Sequence, residues 1–307
     1  MSEREVLARR KENLRLRARI IEVVRQYFNG RNYLEVETPL RIPAPAPESH
    51  IDAIPSRDWF LHTSPELCMK RLMAAGYHQI FQISKCFRDG ERGSNHLPEF
   101  TMLEWYRAGI DYCELMNECE ALVLFIAQSL EMGDRITYQG RTIDLRRPWQ
   151  RLTIDEAFTR FSPVSINEAL ESGCFDEVMV MHVEPGIFGE KPAFLYDYPL
   201  SLASLARKKK EDPTVAERFE MYIGGLELAN AFSELTDAEE QRLRFSEERE
   251  CRRGSGKTVY PSPEKFLNEL GYMPDAAGIA LGVDRLVMLF TDRPVIDDVV
   301  AFTQEDL

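Results

Sequence analysis

The sequence lacks the patterns that mark several common classes of protein. Its six cysteines contain no Cys-x-x-Cys pair and its five histidines no His-x-x-x-His pair, so the spacings indicate neither a zinc site nor a disulfide framework. No apolar run approaches the ~20 residues that cross a membrane, so no membrane partner is expected. The thiols are expected to be reduced, as in an ordinary cytoplasmic protein.

Positive charge is also scarce. The 38 Lys and Arg residues stand against 51 Asp and Glu, and the net charge is -13. Such a chain repels nucleic acid overall, so a nucleic-acid or acidic partner must meet a local basic patch. Residues 1–31 form one, because nine Lys and Arg against four Glu give a net charge of +5. A solvated helix face explains this segment most simply, and steering of an acidic partner is the alternative.

The hydrophobic residues present, 44% of 307, suffice for a large core. Apolar residues at helical spacing between Leu14 and Phe28 predict an N-terminal basic helix over residues 1–30 that ends at Asn29-Gly30. YLEVETP then alternates as a strand. In HTSPELCMKRLMAAG, the Ser-Pro pair predicts the N-cap and the first position of a short helix.

Further along, two alternating segments, QIFQISKCF and EFTMLEWYR, flank the polar loop DGERGSNHLP and predict a hairpin. There follow a helix over residues 111–131, a small hairpin in ITYQGRTIDL, and short helices and loops over residues 153–190. Strands in FLYDYP and RFEMYIGGLELANAFSEL precede a charged helix that begins at Asp237. This mixture without βαβ periodicity predicts an α+β fold, a mostly antiparallel sheet flanked by helices, in a single domain over residues 1–307.

The first candidate site lies on the predicted hairpin, which carries Arg88, His96, Phe100, Glu104 and Tyr106. We expect Arg88 on the first strand, and residues 100, 104 and 106 on one face of the second, because successive side chains of a strand alternate. Buried polar side chains need partners, so this face is either a polar sheet interior or the wall of a ligand site.

The second candidate site is LELANAFSEL, in which Glu227 and Glu234 are seven residues apart with Asn230 between them. An odd separation puts two side chains on opposite faces of a regular strand. The two Glu therefore converge only if a bulge or turn interrupts the strand. A surface strand with incidental acidic residues is the alternative.

The third candidate site is AGIALGVDRL, near the C-terminus. Gly278 and Gly282 permit close approach of a ligand to the backbone, and Arg285 adds a cation at a predicted helix start. A helix start with free N–H groups and an arginine suits a phosphate. Glycines that only serve packing are the alternative.

Together these segments resemble the three signature motifs of class II aminoacyl-tRNA synthetases. YLEVETP looks like the first, dimer-forming motif, CFRDGERGSNHLPEF like the second and GIALGVDRL like the third. The detail is closest to lysyl-tRNA synthetase, through SPELCMKRL, HLPEFTMLEWY, ELANAFSELTDAEEQ and GVDRLVMLF. The chain begins at the first-motif helix, whereas lysyl-tRNA synthetases carry an OB-fold domain there that reads the anticodon. A core without that domain is similar to the elongation factor P lysine ligase family.

This resemblance implies an ATP-dependent, AMP-forming ligase. It implies activation of (R)-β-lysine as an adenylate and transfer to the ε-amine of a specific lysine on elongation factor P. ATP and Mg²⁺ are the implied cofactors, the first motif implies a homodimer, and no anticodon recognition is expected. A stand-alone enzyme that charges tRNA with lysine is the alternative. A non-catalytic regulator is a third reading, which the retention of Arg88, Glu227 and Arg285 disfavours.

On the nucleotide side, the resemblance implies that Arg88 bridges the substrate carboxylate and the α-phosphate, and that adenine stacks on Phe100. It implies that His96 and Arg285 hold the terminal phosphates of a bent ATP. Glu227 matches the carboxylate that holds Mg²⁺ against those phosphates. The remaining implied ATP contacts are Asp89, Gly90, Leu97, Leu228 and Gly282.

On the amino-acid side, Glu66 matches the residue that grips the amine nearest the carboxylate, with Ser64 and Pro65 beside it. Glu234 and Tyr106 match the pair that takes the distal ammonium. A buried ammonium needs such partners, and an uncharged analogue would leave the carboxylate unpaired. The other implied pocket contacts are Glu104, Asn230 and Ala280.

The sequence departs from the family pattern at four positions. Gly90 stands where the second motif usually has Glu, so Glu91 or backbone groups are expected to read adenine. Leu97 replaces an Asn and Ala231 a Gly. Ala280 stands where lysyl-tRNA synthetases usually have Gly, and one methyl group at a pocket floor changes discrimination by about 1–3 kcal/mol. We expect it to disfavour an α-amine and to leave room for a β-amine.

Overall fold

Thirteen strands and ten α-helices form within residues 3–307, the part of the chain that this computed structural model describes, with Glu3 described by its backbone alone. The strands are β1 (Leu34–Glu35), β2 (Arg41–Ile42), β3 (Pro55–Ser56), β4 (Trp59–Leu61), β5 (Gln79–Phe87), β6 (Glu99–Ala108), β7 (Arg135–Tyr138), β8 (Arg141–Asp144), β9 (Gln150–Thr153), β10 (Ala193–Pro199), β11 (Val215–Ile223), β12 (Leu226–Ser233) and β13 (Ala276–Gly282). The helices are α1 (Glu3–Asn29), α2 (Glu66–Ala74), α3 (Tyr112–Ser129), α4 (Ile154–Phe161), α5 (Ile166–Glu171), α6 (Phe175–Val178), α7 (Glu184–Ile187), α8 (Ala238–Gly254), α9 (Glu264–Leu270) and α10 (Val283–Thr291).

Eight of these strands form the central sheet, in the order β1-β5-β6-β13-β12-β11-β10-β9. Only the outer pairs, β1 with β5 and β9 with β10, are parallel, and every pair between them is antiparallel. The predicted α+β fold on a mostly antiparallel sheet is confirmed. Strands β2, β4 and β3 form a small separate sheet, and β7 and β8 form the predicted small hairpin.

The N-terminal helix packs across one face of the sheet. Ile20, Val24 and Phe28 are buried at helical spacing, and the Phe28 ring stacks on Phe81 of β5 with the ring centroids 4.8 Å apart. The helix ends at Asn29, as the Asn-Gly pair predicts. Met1 and Ser2, also part of the predicted helix, lie outside the described residues.

Two predicted boundaries are wrong in detail. Within YLEVETP, only Leu34 and Glu35 form a strand, which pairs with β5. The Val36 N–H still donates to the Phe81 oxygen, and the segment makes no strand pairing after that point. Helix α2 begins at Glu66, one residue later than predicted, with Pro65 at its cap. Ser64 Oγ nevertheless accepts a hydrogen bond from the Glu66 backbone N–H at 2.9 Å. Assignments of helix ends commonly differ by one residue.

The least informative part of the sequence, residues 153–190, folds into short helices as expected. Helices α4 to α7 and a π-helical turn at Met179–Val183 bury their own apolar cluster against β10. Thr153 and Ser165 each form a capping box at a helix start. None of the described helices is long and apolar enough to cross a membrane.

The sheet positions the functional residues through two local features. Strands β5 and β6 pair along their full length as the predicted hairpin, but Arg88 lies just past the end of β5 rather than on it. On β12, pairing with β11 shifts register, since Met221 pairs with Ala229 and Tyr222 with Glu227. Leu228 is therefore an extra residue in a bulge, the interruption that convergence of the two Glu requires.

Candidate active site

A cavity of about 500 Å³ opens over strands β6, β13 and β12. Its floor consists of two rows of residues that are direct partners across the sheet, Asn230–Ala280–Glu104 and Phe232–Gly278–Tyr106. Both rows face the same side because the residues of each strand are two apart. The three candidate sites from the sequence, on the hairpin, on LELANAFSEL and on AGIALGVDRL, therefore lie in one pocket.

One end of this cavity, which we call the amine end, is built around Glu104. Its side chain is 1% exposed and accepts hydrogen bonds from Ser64 Oγ at 2.6 Å and from the Tyr106 hydroxyl at 2.9 Å. Burial and then the neighbouring Glu66 carboxylate raise the pKa of Glu104 to about 8, although both hydrogen bonds act in the opposite direction. A cationic ligand here would favour the ionised form.

Lys70, which the sequence analysis missed, lies beneath the amine end. Its ammonium is 2.5 Å from a carboxylate oxygen of Glu66 and 2.5 Å from one of Glu234. Burial lowers the pKa of Lys70, but the Glu234 and Glu66 carboxylates more than offset this effect and the net shift is upward. The spacing of four residues after Glu66 was the available signal, because it puts both side chains on one helix face.

Gly278 makes the amine end possible. A Cβ at this position would overlap both Glu234 Oε1 and the ring of Tyr106. At Gly282, by contrast, the nearest atom to such a Cβ is in the Arg285 side chain at 3.8 Å, which is ordinary contact. Between the two glycines, the one that the protein's own packing requires is Gly278.

The opposite end, which we call the phosphate end, is organised by Arg285 at the start of α10. This guanidinium donates to the backbone oxygen of Glu227 at 2.7 Å, lies 3.3 Å from the Glu227 carboxylate, and donates to His96 Nε2 at 2.6 Å. Because arginine only donates, His96 Nε2 accepts and the imidazole is neutral. Burial and then the Arg285 charge lower the pKa of His96, consistent with that state.

Arg88 contributes a second cation to the phosphate end. Its guanidinium carbon lies 5.1 Å from the centre of the Phe100 ring, and Nη1 is 3.8 Å from Glu91. Arg88 Nε is buried and has no hydrogen-bond partner among the described residues. A ligand that stacks on the same face of Phe100 must therefore displace this guanidinium. Glu91, one of the groups expected to read adenine in place of the usual Glu at position 90, lines the cavity.

Most of the sequence-predicted residues line this cavity, and three do not. The lining includes Ser64, Glu66, Arg88, Gly90, His96, Leu97, Phe100, Glu104, Tyr106, Glu227, Leu228, Asn230, Ala280, Gly282 and Arg285. Asp89 is exposed at the loop, Pro65 is buried at the start of α2, and Glu234 is fully buried below the floor behind Gly278. Glu234 therefore acts on the cavity only through Lys70, Tyr106 and the gap that Gly278 leaves.

Glu48 is a further lining residue that the sequence analysis did not identify. Burial and then the Glu66 carboxylate raise its pKa to about 7. The loop that carries it is fixed by Arg252, which is fully buried and donates to the backbone oxygens of Glu48 and Ile51 at 2.7 and 3.0 Å. A proline-rich loop gives no sequence signal for such an anchor 200 residues away.

The basic N-terminal helix is partly used inside the protein. Arg17 donates to Asp284, beside the phosphate end, at 2.5 Å, and Arg10, 7% exposed, pairs with Asp306 at 2.6 Å. The simplest interpretation, a fully solvated face, is therefore wrong for these two residues.

The phosphate end offers one carboxylate to a divalent cation. Among the described residues, no group of three or more His, Cys, Asp or Glu side chains is arranged to hold a metal. Glu227 faces the cavity with a carboxylate, whereas both oxygens of neighbouring Glu220 already accept from Arg218, Tyr198 and Tyr222. A single carboxylate fits Mg²⁺ that arrives with phosphates, because this ion commonly keeps one or two protein carboxylates and completes its shell with phosphates and water.

The fold and this two-ended site define the catalytic core of a class II aminoacyl-tRNA synthetase. The family model of class II tRNA synthetases (D, K and N) matches residues 5–306. The elongation factor P–(R)-β-lysine ligase of Proteus mirabilis is 41% identical over 94% of both chains, and that of Salmonella gallinarum is 40% identical over 95% of this chain and 94% of its own. The lysine–tRNA ligase of Magnetococcus marinus is 36% identical over 96% of this chain, which spans only 64% of that relative. The chain belongs to the class II tRNA synthetase family and, within it, to the elongation factor P–(R)-β-lysine ligases, which are ATP-dependent ligases.

Proposed function

We propose that this protein activates (R)-β-lysine with ATP and transfers the β-lysyl group to the ε-amine of one lysine on elongation factor P. One observation carries the proposal. Three carboxylates, those of the buried Glu104 and Glu234 and of the partly buried Glu66, lie at one end of a cavity whose other end holds Arg88 and Arg285. An amino acid with two ammonium groups and a carboxylate next to a polyphosphate matches that charge distribution.

In the first step, a carboxylate oxygen of β-lysine attacks the α-phosphorus of ATP. A new O–P bond forms, the bond to the β-phosphate oxygen breaks, and pyrophosphate leaves. Arg88 neutralises charge between the carboxylate and the α-phosphate, while Arg285 and neutral His96 donate to the terminal phosphates. Catalysis here consists mainly of positioning and charge stabilisation. Glu227 would hold Mg²⁺, which when bound would supply further neutralisation of phosphate charge.

The amine end selects the substrate. Glu66, Ser64, Glu104 and Tyr106 all line the cavity. We propose that Glu66 and Ser64 bind the amine nearest the carboxylate and that Glu104 and Tyr106 form the wall toward the distal ammonium. Ala280 pairs directly with Asn230 and Glu104, so its methyl group projects from the middle of the floor. We propose that this methyl group favours the β-amine over the α-amine.

In the second step, the uncharged ε-amine of the acceptor lysine attacks the carbonyl carbon of the adenylate. An amide bond forms, the bond from the carbonyl carbon to the phosphate oxygen breaks, and AMP leaves. The amine loses a proton in the process. We propose that the acceptor is a protein, because relatives that match this chain over 94% of their own length are named ligases of elongation factor P.

We also propose a cytoplasmic homodimer. Leu34 in the first-motif segment and Leu40 directly after it are exposed apolar side chains, 50% and 42% exposed. A two-fold interface would cover the same patch on both copies.

The proposed activity is tested by the intact mass of elongation factor P after incubation with the protein, ATP, Mg²⁺ and (R)-β-lysine. We expect one added β-lysyl group, and no addition with an Arg88→Ala variant. An unchanged mass, together with charging of lysine tRNA, would contradict the proposal and favour the lysine–tRNA ligase activity of the relatives that this chain covers only in part.

A further inference from the structure

The amine end contains an ammonium of its own. Lys70 is 1% exposed, and its Nζ lies 2.5 Å from both Glu66 and Glu234 and 5.0 Å from the centre of the Phe232 ring. Glu66 and Phe232 line the cavity, and Glu234 lies below its floor behind Gly278. Lys70 thus contacts three residues at this end of the pocket and is not itself among the residues that line the cavity.

The charged groups near Lys70 lie on three parts of the fold. Glu66 is on its own helix, α2, Glu234 follows β12, and Glu104 with Tyr106 face it from β6. The three carboxylates carry three negative charges when ionised, and Lys70 cancels one of them. The excess of two negative charges equals the two ammonium groups of a diamino acid. A substrate with one ammonium would leave a buried carboxylate without a partner, which is costly.

We propose that Lys70 is a positioning residue that holds the Glu66 and Glu234 carboxylates in place and sets the charge of the amine end for a substrate with two ammonium groups. This inference rests on the proposed function, since it concerns the same pocket. It assigns the selection of a diamine partly to a cation of the protein, in addition to the carboxylates that face the substrate.

The physical consequence is a coupling between Lys70 and protonation. The Lys70 charge lowers the pKa values of both Glu104 and Glu234, against the larger effect of burial. Without this charge, the carboxyl groups should stay protonated to higher pH, and a diammonium substrate should bind them only in more alkaline solution. A residue that merely filled space would not change the pH dependence.

The test is calorimetric binding of (R)-β-lysine, without ATP or elongation factor P, to the full chain and to Lys70→Met. We expect binding at least about 10-fold weaker at neutral pH, with a deficit that narrows as pH rises. ATP binding should be unchanged. Arg71→Met is the matched control, because Arg71 is the next residue on α2 and pairs with Glu269 at the surface.

Several results would overturn the inference. Equal affinity and equal pH dependence for Lys70→Met and the unaltered protein would show that Lys70 does not set the pocket. If circular dichroism shows that Lys70→Met does not fold, Lys70→Arg replaces it. Arginine keeps the charge, so the expected result is weaker binding with an unaltered pH dependence, and a shifted pH dependence would contradict us. If the unaltered protein binds no diamine, the proposed function itself fails. If the unaltered protein binds the diamine and Lys70→Met binds it equally well, only the inference about Lys70 fails.

Discussion

The two ends of the cavity satisfy their charges in different ways. At the amine end, Glu104, Glu234 and Lys70 are each at most 1% exposed and are paired with other groups of the protein. At the phosphate end, the Arg88 and Arg285 side chains are 25% and 19% exposed. Arg88 has one carboxylate, that of Glu91, at 3.8 Å, and Arg285 contacts His96, backbone oxygens and the Glu227 carboxylate at 3.3 Å. The amine end is preorganised by its own ions, and the phosphate end has donors to spare for a ligand.

This difference follows from what each end must do. A buried carboxylate is expensive unless it is paired, so a pocket that selects ammonium groups must hold its acids in a network before the substrate arrives. Phosphates enter and leave in each turnover, and we expect partly exposed cations to bind them, because desolvation costs less near solvent. The residues that select the substrate amines therefore lie on or next to strands and on a helix. The residues that bind phosphate lie in a loop and at the start of a helix.

Removal of the Arg88 side chain should have the largest effect on the reaction rate, and this effect should be confined to the phosphate end. Because this guanidinium neutralises the reacting carboxylate and phosphate, Arg88→Ala should reduce ATP–pyrophosphate exchange about 1,000-fold with any amino acid. Binding of the diamine without ATP should change much less. Lys85→Ala, a change to an exposed cation on the preceding strand, is the control and should behave as the unaltered protein. Exchange at a normal rate in the Arg88 variant would refute its role.

Gly278→Ala should damage the amine end almost as severely. The added Cβ meets Glu234 and the Tyr106 ring, so both side chains must move, and a displacement of about 1 Å costs on the order of 100-fold in rate. ATP affinity should be retained. Gly271→Ala is the matched control, since nothing lies within 4 Å of the position its Cβ would take. Steady-state kinetics with separate variation of diamine and ATP distinguish the two ends.

Glu234→Ala should remove the preference for a diamine rather than the reaction itself. Its carboxylate forms an ion pair with Lys70, and Glu234 Oε1 and the Tyr106 ring both lie beside Gly278. We expect this carboxylate to accept a hydrogen bond from the distal ammonium, and a hydrogen bond to a charged group contributes about 1.5–3 kcal/mol. The ratio of kcat/KM for (R)-β-lysine over 3-aminohexanoate, which lacks the distal amine, should fall about 10- to 100-fold. An intact ratio would mean that Glu234 is not part of the distal subsite.

These variants test a site that the sequence predicted only in part. The hairpin of β5 and β6, the helix over residues 111–131 and the need for an interruption between Glu227 and Glu234 are local patterns, and the structure contains all three, with the helix at Tyr112–Ser129. Lys70 was missed because a lysine in an amphipathic helix normally indicates a solvated face. Its burial depends on Glu234, more than 160 residues away, and no local pattern reports such a contact.

The same limit explains the glycines and Arg88. From sequence, Gly278 and Gly282 look equivalent, and only the register of β13 against β6 and β12 puts Gly278 beside Tyr106. Likewise, a strand pattern cannot reveal that Arg88 covers Phe100 across the end of a hairpin. Long-range register, rather than local propensity, decided these details.

Activity with the diamine should depend on pH through the amine end. Burial and Glu66 raise the pKa of Glu104 from 4.5 to about 8. Since the diammonium substrate binds the ionised form, kcat/KM should rise by up to about tenfold per pH unit below that pKa. The stability of the ligand-free protein should change with pH in the opposite direction, because burial favours the neutral carboxyl of Glu104. The contribution of Glu104 to the free energy of unfolding should be full below pH 4.5 and lost as pH rises through about 8.

Pyrophosphate-exchange profiles and urea denaturation of the free protein at several pH values measure these two trends. Adding (R)-β-lysine should restore stability at alkaline pH. A flat exchange profile between about pH 6 and pH 8 would contradict the assignment of Glu104.

Ala280→Gly should have the smallest effect and should act on selection alone. Removal of one methyl group from the floor should raise activity with α-lysine relative to β-lysine by roughly 10-fold, within the range of about 1–3 kcal/mol per methylene. Ala231→Gly on the neighbouring strand, fully buried and outside the cavity, is the control. An unchanged ratio would remove Ala280 from the account of specificity.

The central feature of the site is an amine end that fits two ammonium groups, and one measurement tests this selectivity most directly. ATP–pyrophosphate exchange with (R)-β-lysine is compared with exchange in the presence of 3-aminohexanoate, which is identical apart from the distal amine. A site with buried groups that pair with a substrate amine rejects the analogue that lacks it by about 10,000-fold. We predict a preference of that order, and comparable exchange with the two compounds would contradict the account.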